Sequence, residues 1–367
     1  MTPASPQFPP IRKVAIVGVG AIGGVFAAWL GSRLPGDLIE LSALARGQTL
    51  AALQGNGLQW TDTEGRIHAV PLRASDDAAA LGPQDLVIVS VKGPAMPAVA
   101  QQIKPLLAAH TVVLVAMNGV PWWFFDGLGG ECAGLQLQTV DPGGLTAAAL
   151  PTAHVLGCVV HVSAVSPQPG QVTRIKNNQL IIGEPSGKEH RPHADAAPQG
   201  GSSPLGAARR GLSAPRVQAV AALLEQAGFG VTVSKRIQHD IWFKLWGNMT
   251  MNPVSALTGA PCDQILDDPL VRAHCSAVMR EAQAIGQRIG CAIDQVPEDR
   301  HAITRSLGSF KTSMLQDVEA GRPIELDAIL GSVREIGQHL NLLTPHMDAL
   351  LGLTRLMART RGLYPSA

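Results

Sequence analysis

Charge is scarce in this chain, and so are long apolar runs. Only 16% of the 367 residues are Asp, Glu, Lys or Arg, and the formal net charge is +1. A balance this close to neutral creates no basic field that would attract nucleic acid. No apolar run reaches the length needed to span a bilayer, and the N-terminal residues lack the basic start and apolar core of a signal peptide. These absences predict a cytoplasmic protein that binds neither nucleic acid nor a membrane.

The cysteines and histidines show no spacing typical of a metal site. The five cysteines are odd in number and form no CxxC pair, and the eleven histidines are scattered along the chain. We therefore expect reduced, mostly buried thiols and no bound metal.

The length of the chain predicts two domains, because 367 residues exceed one ordinary core. Apolar runs typical of buried parallel strands occupy the first part, whereas only helical patterns recur beyond Lys235. We predict an α/β Rossmann-type dinucleotide-binding domain over residues 11–235. An all-α domain for substrate binding and dimerisation is expected over 236–367. The stretch 184–214 is rich in Gly, Pro, Ser, Ala and charge, which predicts a mobile surface loop.

A glycine-rich turn near the N-terminus is typical of a dinucleotide site. The apolar run Val14–Val17 leads into the glycine turn at residues 18–23, and an apolar helical pattern follows. Gly18 permits the tight turn, Gly20 leaves room for a pyrophosphate, and Gly23 lets the helix pack close to the strand. A strand-to-helix turn without a ligand is the alternative interpretation.

The residues that follow this turn predict which dinucleotide binds. The helix start at Ala21 and Ile22 offers free backbone N–H groups and a positive dipole end to the phosphates. The next apolar stretch, 38–45, is predicted to be a strand that ends beside Arg46. An acidic residue at this place binds the 2′-hydroxyl of NAD, whereas an arginine pairs with the 2′-phosphate of NADP, so NADPH is the expected cofactor. Glu40 is the counter-argument, since a different strand register would put it at the strand end.

Polar residues follow two further strand-like runs. Leu86–Val91 leads to Lys92, and Val112–Ala116 leads to Asn118. Ligands of open α/β sheets bind beyond the carboxyl ends of the strands, so both residues are predicted to face the same crevice as the glycine turn. A solvated strand end and an Asn-Gly turn are the alternatives. Further along, the pattern predicts an antiparallel extension of strands 155–165 and 179–183, a helix over 217–227 and a short strand over 230–234.

The stretch 239–253 carries the pattern that indicates chemistry. Lys244, Asn248 and Asn252 recur every four positions, which puts them on one face of a helix. A solvated face is the usual explanation of a polar stripe. This stripe, however, has one lysine, two amides and no carboxylate between bulky apolar residues, which suits the binding of an oxygen-rich substrate.

Together with two later motifs, these residues resemble the ketopantoate reductases (2-dehydropantoate 2-reductases) from Val14 to about Leu343. The motifs are Thr312-Ser313-Met314-Leu315-Gln316-Asp317 and Pro323-Ile324-Glu325-Leu326-Asp327. The resemblance implies the NADPH-dependent reduction of 2-dehydropantoate to (R)-pantoate, a step toward pantothenate and coenzyme A. It implies a catalytic lysine at Lys244, substrate-binding residues at Asn248, Asn252, Ser313 and Glu325, and cofactor contacts at Arg46, Lys92 and Asn118.

The chemistry of a ketone reduction agrees with these assignments. Hydride from nicotinamide C4 attacks the ketone carbon, and the oxygen that becomes an alkoxide needs a proton donor, which is Lys244. Glu325 is interpreted as the acceptor for the primary hydroxyl of the substrate. The alternative for Glu325 is a helix N-terminal glutamate, since Arg322-Pro323 is typical of a helix start. The alternative for Ser313 is the first residue of a capping box that ends at Gln316.

Two stretches depart from the compact family pattern and leave the substrate open. They are residues 120–144, with the aromatic run Trp122-Trp123-Phe124-Phe125, and the loop 184–214. The aromatic run either reshapes the pocket or forms a hydrophobic patch that the loop after the fifth strand or a second subunit covers. A related reductase of another small 2-oxo acid and a non-catalytic NADP-sensing protein therefore stay as alternatives. A sensor needs neither a proton donor nor a hydroxyl acceptor, so Lys244 with Glu325 favours the enzyme. A homodimer is expected.

Overall fold

The computed structural model describes residues 8–34, 36–185 and 213–365. Contacts divide the chain into two compact units, Met1–Met117 with Thr146–Ile237 and Asn118–Leu145 with Gln238–Ala367. The segment 118–145, which lies within the expected first domain, thus makes its contacts in the second unit. Most of the expected surface loop 184–214 lies outside the described residues.

The first unit is built on one ten-stranded sheet. Its strands are β1 Lys13–Val17, β2 Glu40–Leu44, β3 Leu58–Thr61, β4 Ile67–Val70, β5 Arg73–Ser75, β6 Gln84–Val89, β7 Leu107–Val115, β8 Val155–Val165, β9 Gln171–Gly183 and β10 Gly230–Val233. The order is β4-β3-β9-β8-β7-β6-β1-β2-β5, and β10 also pairs with β9. From β8 to β5 all neighbours are parallel, whereas β9 runs antiparallel to β8 and β4 runs antiparallel to β3. The parallel half forms the Rossmann-type part of the sheet.

Helices join the strands of the first unit. They are α1 Ala21–Arg33, α2 Gly47–Asn56, α3 Ala78–Leu81, α4 Met96–Gln102, α5 Leu145–Ala149 and α6 Ser213–Gln226. Helix α1 is apolar on nearly all sides, and its residues from Gly23 to Leu30 are buried. The rings of Phe26 and Trp29 lie 5.0 and 4.6 Å from that of Phe229. Close packing on several sides holds the start of α1, and with it the glycine turn, in place.

Some strands differ from the expected ones. Strand β6 ends at Val89 instead of Val91, and β9 begins at Gln171 instead of Gln179. The first half of β9 is largely half-buried or exposed and polar, so it shows no apolar run. No apolar run indicates β3, β4 or β5 either, because these strands have three or four residues each and most of their side chains reach solvent.

The second unit has helices and no strands in the part of the chain that the structure describes. Its helices are α7 Ile237–Thr258, α8 Cys262–Asp267, α9 Pro269–Arg288, α10 Pro297–Ser306, α11 Ser313–Glu319, α12 Ser332–His339 and α13 Pro345–Thr360. A π-helical turn at Asp327–Gly331 leads into α12. The predicted fold class, a Rossmann-type part followed by an all-α part, is therefore confirmed.

The aromatic run of the segment 118–145 belongs to the core of the second unit. Its four side chains, those of Trp122, Trp123, Phe124 and Phe125, are at most 6% exposed. The ring of Phe124 lies 6.1 Å from that of Trp242 on α7. The carboxylate of Glu335 accepts hydrogen bonds from the backbone N–H groups of Gln138 and Thr139 at 2.7 and 2.8 Å. This packing favours the interpretation of the run as a covered hydrophobic patch, with the helical unit itself as its cover.

All five cysteines are free and buried, which confirms the expected thiols. In the described part of the chain, no group of three or more His, Cys, Asp and Glu residues is arranged to hold a metal ion. No described helix is both long and apolar enough to cross a membrane.

Candidate functional site

The three glycines of the turn between β1 and α1 serve different purposes. Gly18 has φ +89°, a conformation that side chains rarely adopt. A Cβ atom on Gly23 would lie 2.1 Å from the carbonyl oxygen of Gly18, so this glycine is required for packing. A Cβ atom on Gly20 would have no described atom of the chain within 4 Å. Gly20 therefore borders open space at the point where a dinucleotide motif brings the pyrophosphate to the backbone.

The start of α1 offers backbone donors beside this space. Gly20 is the N-cap of α1, and a glycine has no side chain that could accept hydrogen bonds from the first turn. The early N–H groups of a helix, here those of residues such as Ala21 and Ile22, have no acceptor within the helix itself. Together with the helix dipole they favour an anion such as a phosphate. The residues present thus fit the phosphates of a dinucleotide.

The parallel register brings further candidate residues to the same edge of the sheet. Val17, at the end of β1, pairs with Leu44 of β2 and with Val89 of β6. Because the three strands end level with one another, the residues that follow them lie along one carboxyl edge. Arg46, which follows β2, and Lys92, which follows β6, are two of these residues.

Arg46 lies at the end of β2 that the dinucleotide motif requires. It is the exposed N-cap residue of α2, two positions after the last residue of β2. Glu40 is the first residue of β2 and pairs in register with Lys13 at the opposite edge of the sheet. The strand register therefore excludes the arrangement that would have placed Glu40 beside the ribose.

Helix α7 carries the polar stripe of the second unit. Lys244 and Asn248 are half-buried, and Asn252 is only 5% exposed. The ammonium group of Lys244 donates a hydrogen bond to Oδ1 of Asn118 at 2.8 Å. Asn118, for which the resemblance implies a cofactor contact, therefore directly contacts the candidate catalytic lysine. The stripe presents one cation and two amides, which can bind an oxygen-rich anion and donate a proton to it.

The N-terminus of α11 is tied to the far end of this stripe. The hydroxyl of Thr312 donates to Oγ of Ser255 at 3.1 Å, and Ser255 lies three residues beyond Asn252 on α7. The same hydroxyl accepts a hydrogen bond from the N–H of Leu315, so Thr312 is the N-cap of α11. The capping alternative for Ser313 is therefore wrong by one position. Ser313 is the first residue of the helix, and its side chain is exposed.

Glu325 precedes the π-helical turn Asp327–Gly331. Residues 322–325 have no regular secondary structure and helical structure begins at Leu326, so Arg322-Pro323 does not start a helix. Glu325 itself directly precedes the first helical residue, as the alternative of a helix N-terminal glutamate expects. Single π-turns are frequent at functional sites. Glu325 is half-buried.

The π-helical turn packs against the loop that bears Asn118. The carbonyl oxygen of Ala328 accepts a hydrogen bond from the N–H of Val120 at 2.8 Å. Gly119 has φ +84°, and a Cβ atom there would lie 2.3 Å from the same oxygen. Only glycine fits this position, because both the backbone conformation and the contact exclude a side chain. The Lys244–Asn118 pair and the Glu325 segment are thus joined through Ala328.

Two charged residues near these elements have no role predicted from the sequence. The guanidinium of Arg300 lies 5.5 Å from the ring centre of Phe243 and packs against Gly247, both on α7, and burial lowers its pKa. Asp327 accepts a hydrogen bond from the hydroxyl of Tyr364 at 2.5 Å, and burial raises the pKa of this carboxyl. Asp327 ends one of the quoted motifs, whereas Tyr364 lies beyond the resemblance and no pattern indicates it.

Family models match both parts of the chain. The model described as "Ketopantoate reductase PanE/ApbA" matches residues 14–123, and the one described as "Ketopantoate reductase PanE/ApbA C terminal" matches residues 236–358. A 2-dehydropantoate 2-reductase from Mesorhizobium japonicum is 38% identical over 352 residues, which are 96% of this chain and 99% of that relative.

Solved structures agree with these matches. A protein from Ralstonia solanacearum MolK2 that carries the name ketopantoate reductase is 53% identical, with a TM-score of 0.84 over 96% of this chain and 100% of that one. The ternary structure of D-mandelate dehydrogenase with NADH and anilino(oxo)acetate has a TM-score of 0.76 over 96% of this chain and 100% of that one. At 18% identity, this likeness shows a shared fold alone.

The glycine turn can be tested with a matched pair of substitutions. Gly20→Ala has open space for its methyl group and a compatible backbone (φ −94°), so its unfolding free energy should stay within about 0.5 kcal/mol of wild type. Its affinity for a nicotinamide dinucleotide should fall about tenfold or more, since the methyl group occupies the space for the pyrophosphate. Gly23→Ala should lower the unfolding free energy by roughly 1–3 kcal/mol, because its methyl group meets backbone. Thermal unfolding measures the change in stability, and fluorescence titration with NADH and with NADPH measures the change in affinity. Wild-type affinity in Gly20→Ala would exclude this turn as the pyrophosphate site.

Proposed function

The chain belongs to the ketopantoate reductase family of dinucleotide-binding oxidoreductases, and on this premise we propose that it reduces 2-dehydropantoate to (R)-pantoate with NADPH. The observation that carries the proposal is the hydrogen bond between Lys244 and Asn118. The loop that bears Asn118 also packs against the π-helical turn that follows Glu325, in the same unit. This arrangement combines a proton donor with an acceptor for a hydroxylated substrate.

The residues of the first unit suit NADPH. Gly18, Gly20 and Gly23 shape the space for the pyrophosphate, and the N–H groups at the start of α1 bind its oxygens. Arg46 pairs with the 2′-phosphate, and Lys92, at the same sheet edge, adds a second cation. When bound, the nicotinamide supplies the hydride that adds to the ketone carbon.

Lys244 provides the proton that the reduction needs. Its ammonium group is half-buried and held by the amide oxygen of Asn118, so its position is defined before substrate binds. As the ketone oxygen becomes an alkoxide, the positive charge stabilises it and a proton passes from Nζ to the oxygen. A half-buried primary amine suits this role because, unlike a guanidinium, it can give up its proton.

The remaining polar residues of the second unit orient the substrate. Asn248 and Asn252 lie on the same face of α7 as the lysine and donate from their amides to the substrate oxygens. Ser313, exposed at the start of α11, adds a hydroxyl group. Glu325 accepts from the primary hydroxyl that distinguishes 2-dehydropantoate from simple branched 2-oxo acids.

Two alternatives lead to different measurements. One is the reduction of another small 2-oxo acid. The fold alone does not determine the substrate, since D-mandelate dehydrogenase has the same fold. The other is an NADP-sensing protein without turnover, which the pairing of a proton donor with a hydroxyl acceptor argues against. The homodimer expected from the sequence stays a prediction.

Replacing the proton donor should abolish most of the turnover. Lys244→Ala should lower kcat by about 10²- to 10⁴-fold, the usual loss when a general acid is removed, with little change in NADPH affinity. Lys244→Arg should also be slow, because a guanidinium keeps the charge but holds its proton. Steady-state kinetics and NADPH titration measure these effects, with the exposed Lys104→Ala as the control. Near wild-type turnover in Lys244→Ala would remove this lysine from the mechanism.

The arginine after β2 should decide the choice of cofactor. Arg46→Asp exchanges a partner of the 2′-phosphate for a charge that repels it and can accept from a 2′-hydroxyl instead. We expect kcat/KM for NADPH to fall about tenfold or more while that for NADH falls less or rises. Kinetics with both cofactors test this, and Arg361→Asp, an exposed arginine near the C-terminus, is the control. Unchanged constants for both cofactors would show that Arg46 does not contact the phosphate.

The substrate assignment depends on Glu325. Wild type should prefer 2-dehydropantoate to 2-oxoisovalerate, which lacks the hydroxyl. Glu325→Gln should lower kcat/KM for 2-dehydropantoate roughly tenfold and that for 2-oxoisovalerate much less, because a hydrogen bond to a charged acceptor is stronger than one to a neutral amide. NADPH oxidation over a panel of 2-oxo acids measures the ratio. A wild-type preference for the analogue, or equal losses in the variant, would favour the related reductase of another 2-oxo acid.

A further inference from the structure

The residues after α13 return to the turn that follows Glu325. Gly362 has φ +68°, the left-handed conformation with which helices commonly end, and here it turns the chain away from α13. The carbonyl oxygen of the next residue, Leu363, accepts a hydrogen bond from the N–H of Ile324 at 3.1 Å, directly before Glu325. Leu363 and Ile324 are both buried, with 4% and 2% of their surfaces exposed. This contact holds the chain on the N-terminal side of Glu325.

Tyr364 holds the chain on the other side. Its hydroxyl donates to Oδ1 of Asp327, the first residue of the π-helical turn, at 2.5 Å. The guanidinium of Arg359 lies 5.6 Å from the centre of the tyrosine ring, and its Nε donates to the carbonyl oxygen of Pro365. The tail therefore contacts the residues at both flanks of Glu325, one through its backbone and one through a side chain.

The same turn also reaches the lysine. Within it, the carbonyl oxygen of Ala328 accepts from the N–H of Val120, and Val120 follows Asn118 and Gly119 in the chain. Asn118 in turn accepts from Lys244. A displacement of the π-helical turn would therefore move Glu325 and disturb the partner of Lys244, since the contact between Ala328 and Gly119 leaves no free space.

We propose that Tyr364 is a positioning residue of the reductase, which acts through Asp327 and the π-helical turn to hold Glu325 where it meets the substrate hydroxyl. This inference rests on the proposed function, because it takes Glu325 to be the hydroxyl acceptor.

The hydrogen bond has a direct spectroscopic signature, because Tyr364 is the single tyrosine of the chain. Burial raises the pKa of Tyr364, and so do its hydrogen bond to Asp327 and the charge of that carboxylate, whereas Arg355 and Arg359 lower it. In the folded protein, absorbance at 295 nm should therefore show tyrosine ionisation well above the ordinary value of about 10. Asp327→Asn should bring the midpoint back toward this value. A wild-type midpoint near the ordinary value would exclude the hydrogen bond and overturn the proposal.

The functional test is a double-mutant cycle. Tyr364→Phe removes the hydroxyl and keeps the ring. It should narrow the ratio of kcat/KM between 2-dehydropantoate and 2-oxoisovalerate by about threefold to tenfold, mainly through a higher KM for the hydroxylated substrate. In the Glu325→Gln background the same substitution should leave the ratio unchanged. A tyrosine that served stability alone would lower the melting temperature without changing the ratio, and Arg361→Ala, an exposed residue of the same segment, should change neither.

The outcomes separate this inference from the proposed function. If wild type shows no preference for the hydroxylated substrate, the proposed function fails, and the positioning role fails with it. If wild type has this preference and Tyr364→Phe retains it, the proposed function stands and the positioning role is overturned. The positioning role would also be overturned if Tyr364→Phe narrowed the ratio of kcat/KM between the two substrates equally in the wild-type and the Glu325→Gln backgrounds. Tyr364 would then act independently of the glutamate.

Discussion

A half-buried ammonium group needs oxygen acceptors, and one acceptor of Lys244 in the second unit is the side-chain oxygen of Asn118. Asn118 can take this position because Gly119 follows it with a positive φ and lies against the carbonyl oxygen of Ala328. That contact joins a loop of the segment 118–145 to a turn more than two hundred residues later in the chain. A buried lysine without an acceptor would destabilise the unit, because its charge would lose its hydration without compensation. The charge on α7 therefore requires the loop to lie where Asn118 can accept from it.

The segment 118–145 belongs to the helical unit for a related reason. Its aromatic side chains are large, apolar and buried, and the ring of Phe124 packs against Trp242 of α7. The carboxylate of Glu335 accepts hydrogen bonds from the backbone N–H groups of Gln138 and Thr139. Burial of four aromatic side chains is a large favourable term, since each removes on the order of 150–250 Å² from water. The segment therefore supplies both Asn118, the hydrogen-bond partner of Lys244, and a part of the core that holds it.

In the first unit the main constraint is space. Gly23 allows α1 to pass within contact distance of the turn, and Gly20 is exposed at the start of α1, where a Cβ atom would meet no described atom of the chain within 4 Å. The backbone at this point of the motif is therefore open to the approach of a pyrophosphate. The level ends of β1, β2 and β6 then bring Arg46 and Lys92 to the same edge.

Local patterns in the sequence determined the two-part architecture, the glycine turn and the polar stripe of α7. Each of these features depends on a short-range hydrophobic period or on the conformational freedom of glycine. Both can be recognised from residues that are close together in the sequence. The sequence did not indicate that 118–145 packs with the helices, that Thr312 and not Ser313 caps α11, or that Tyr364 bonds to Asp327. These features arise from contacts between residues distant in sequence or from a choice between two adjacent hydroxyls. Only the tertiary structure decided them, because the stability of such contacts depends on which surfaces meet and not on any local period.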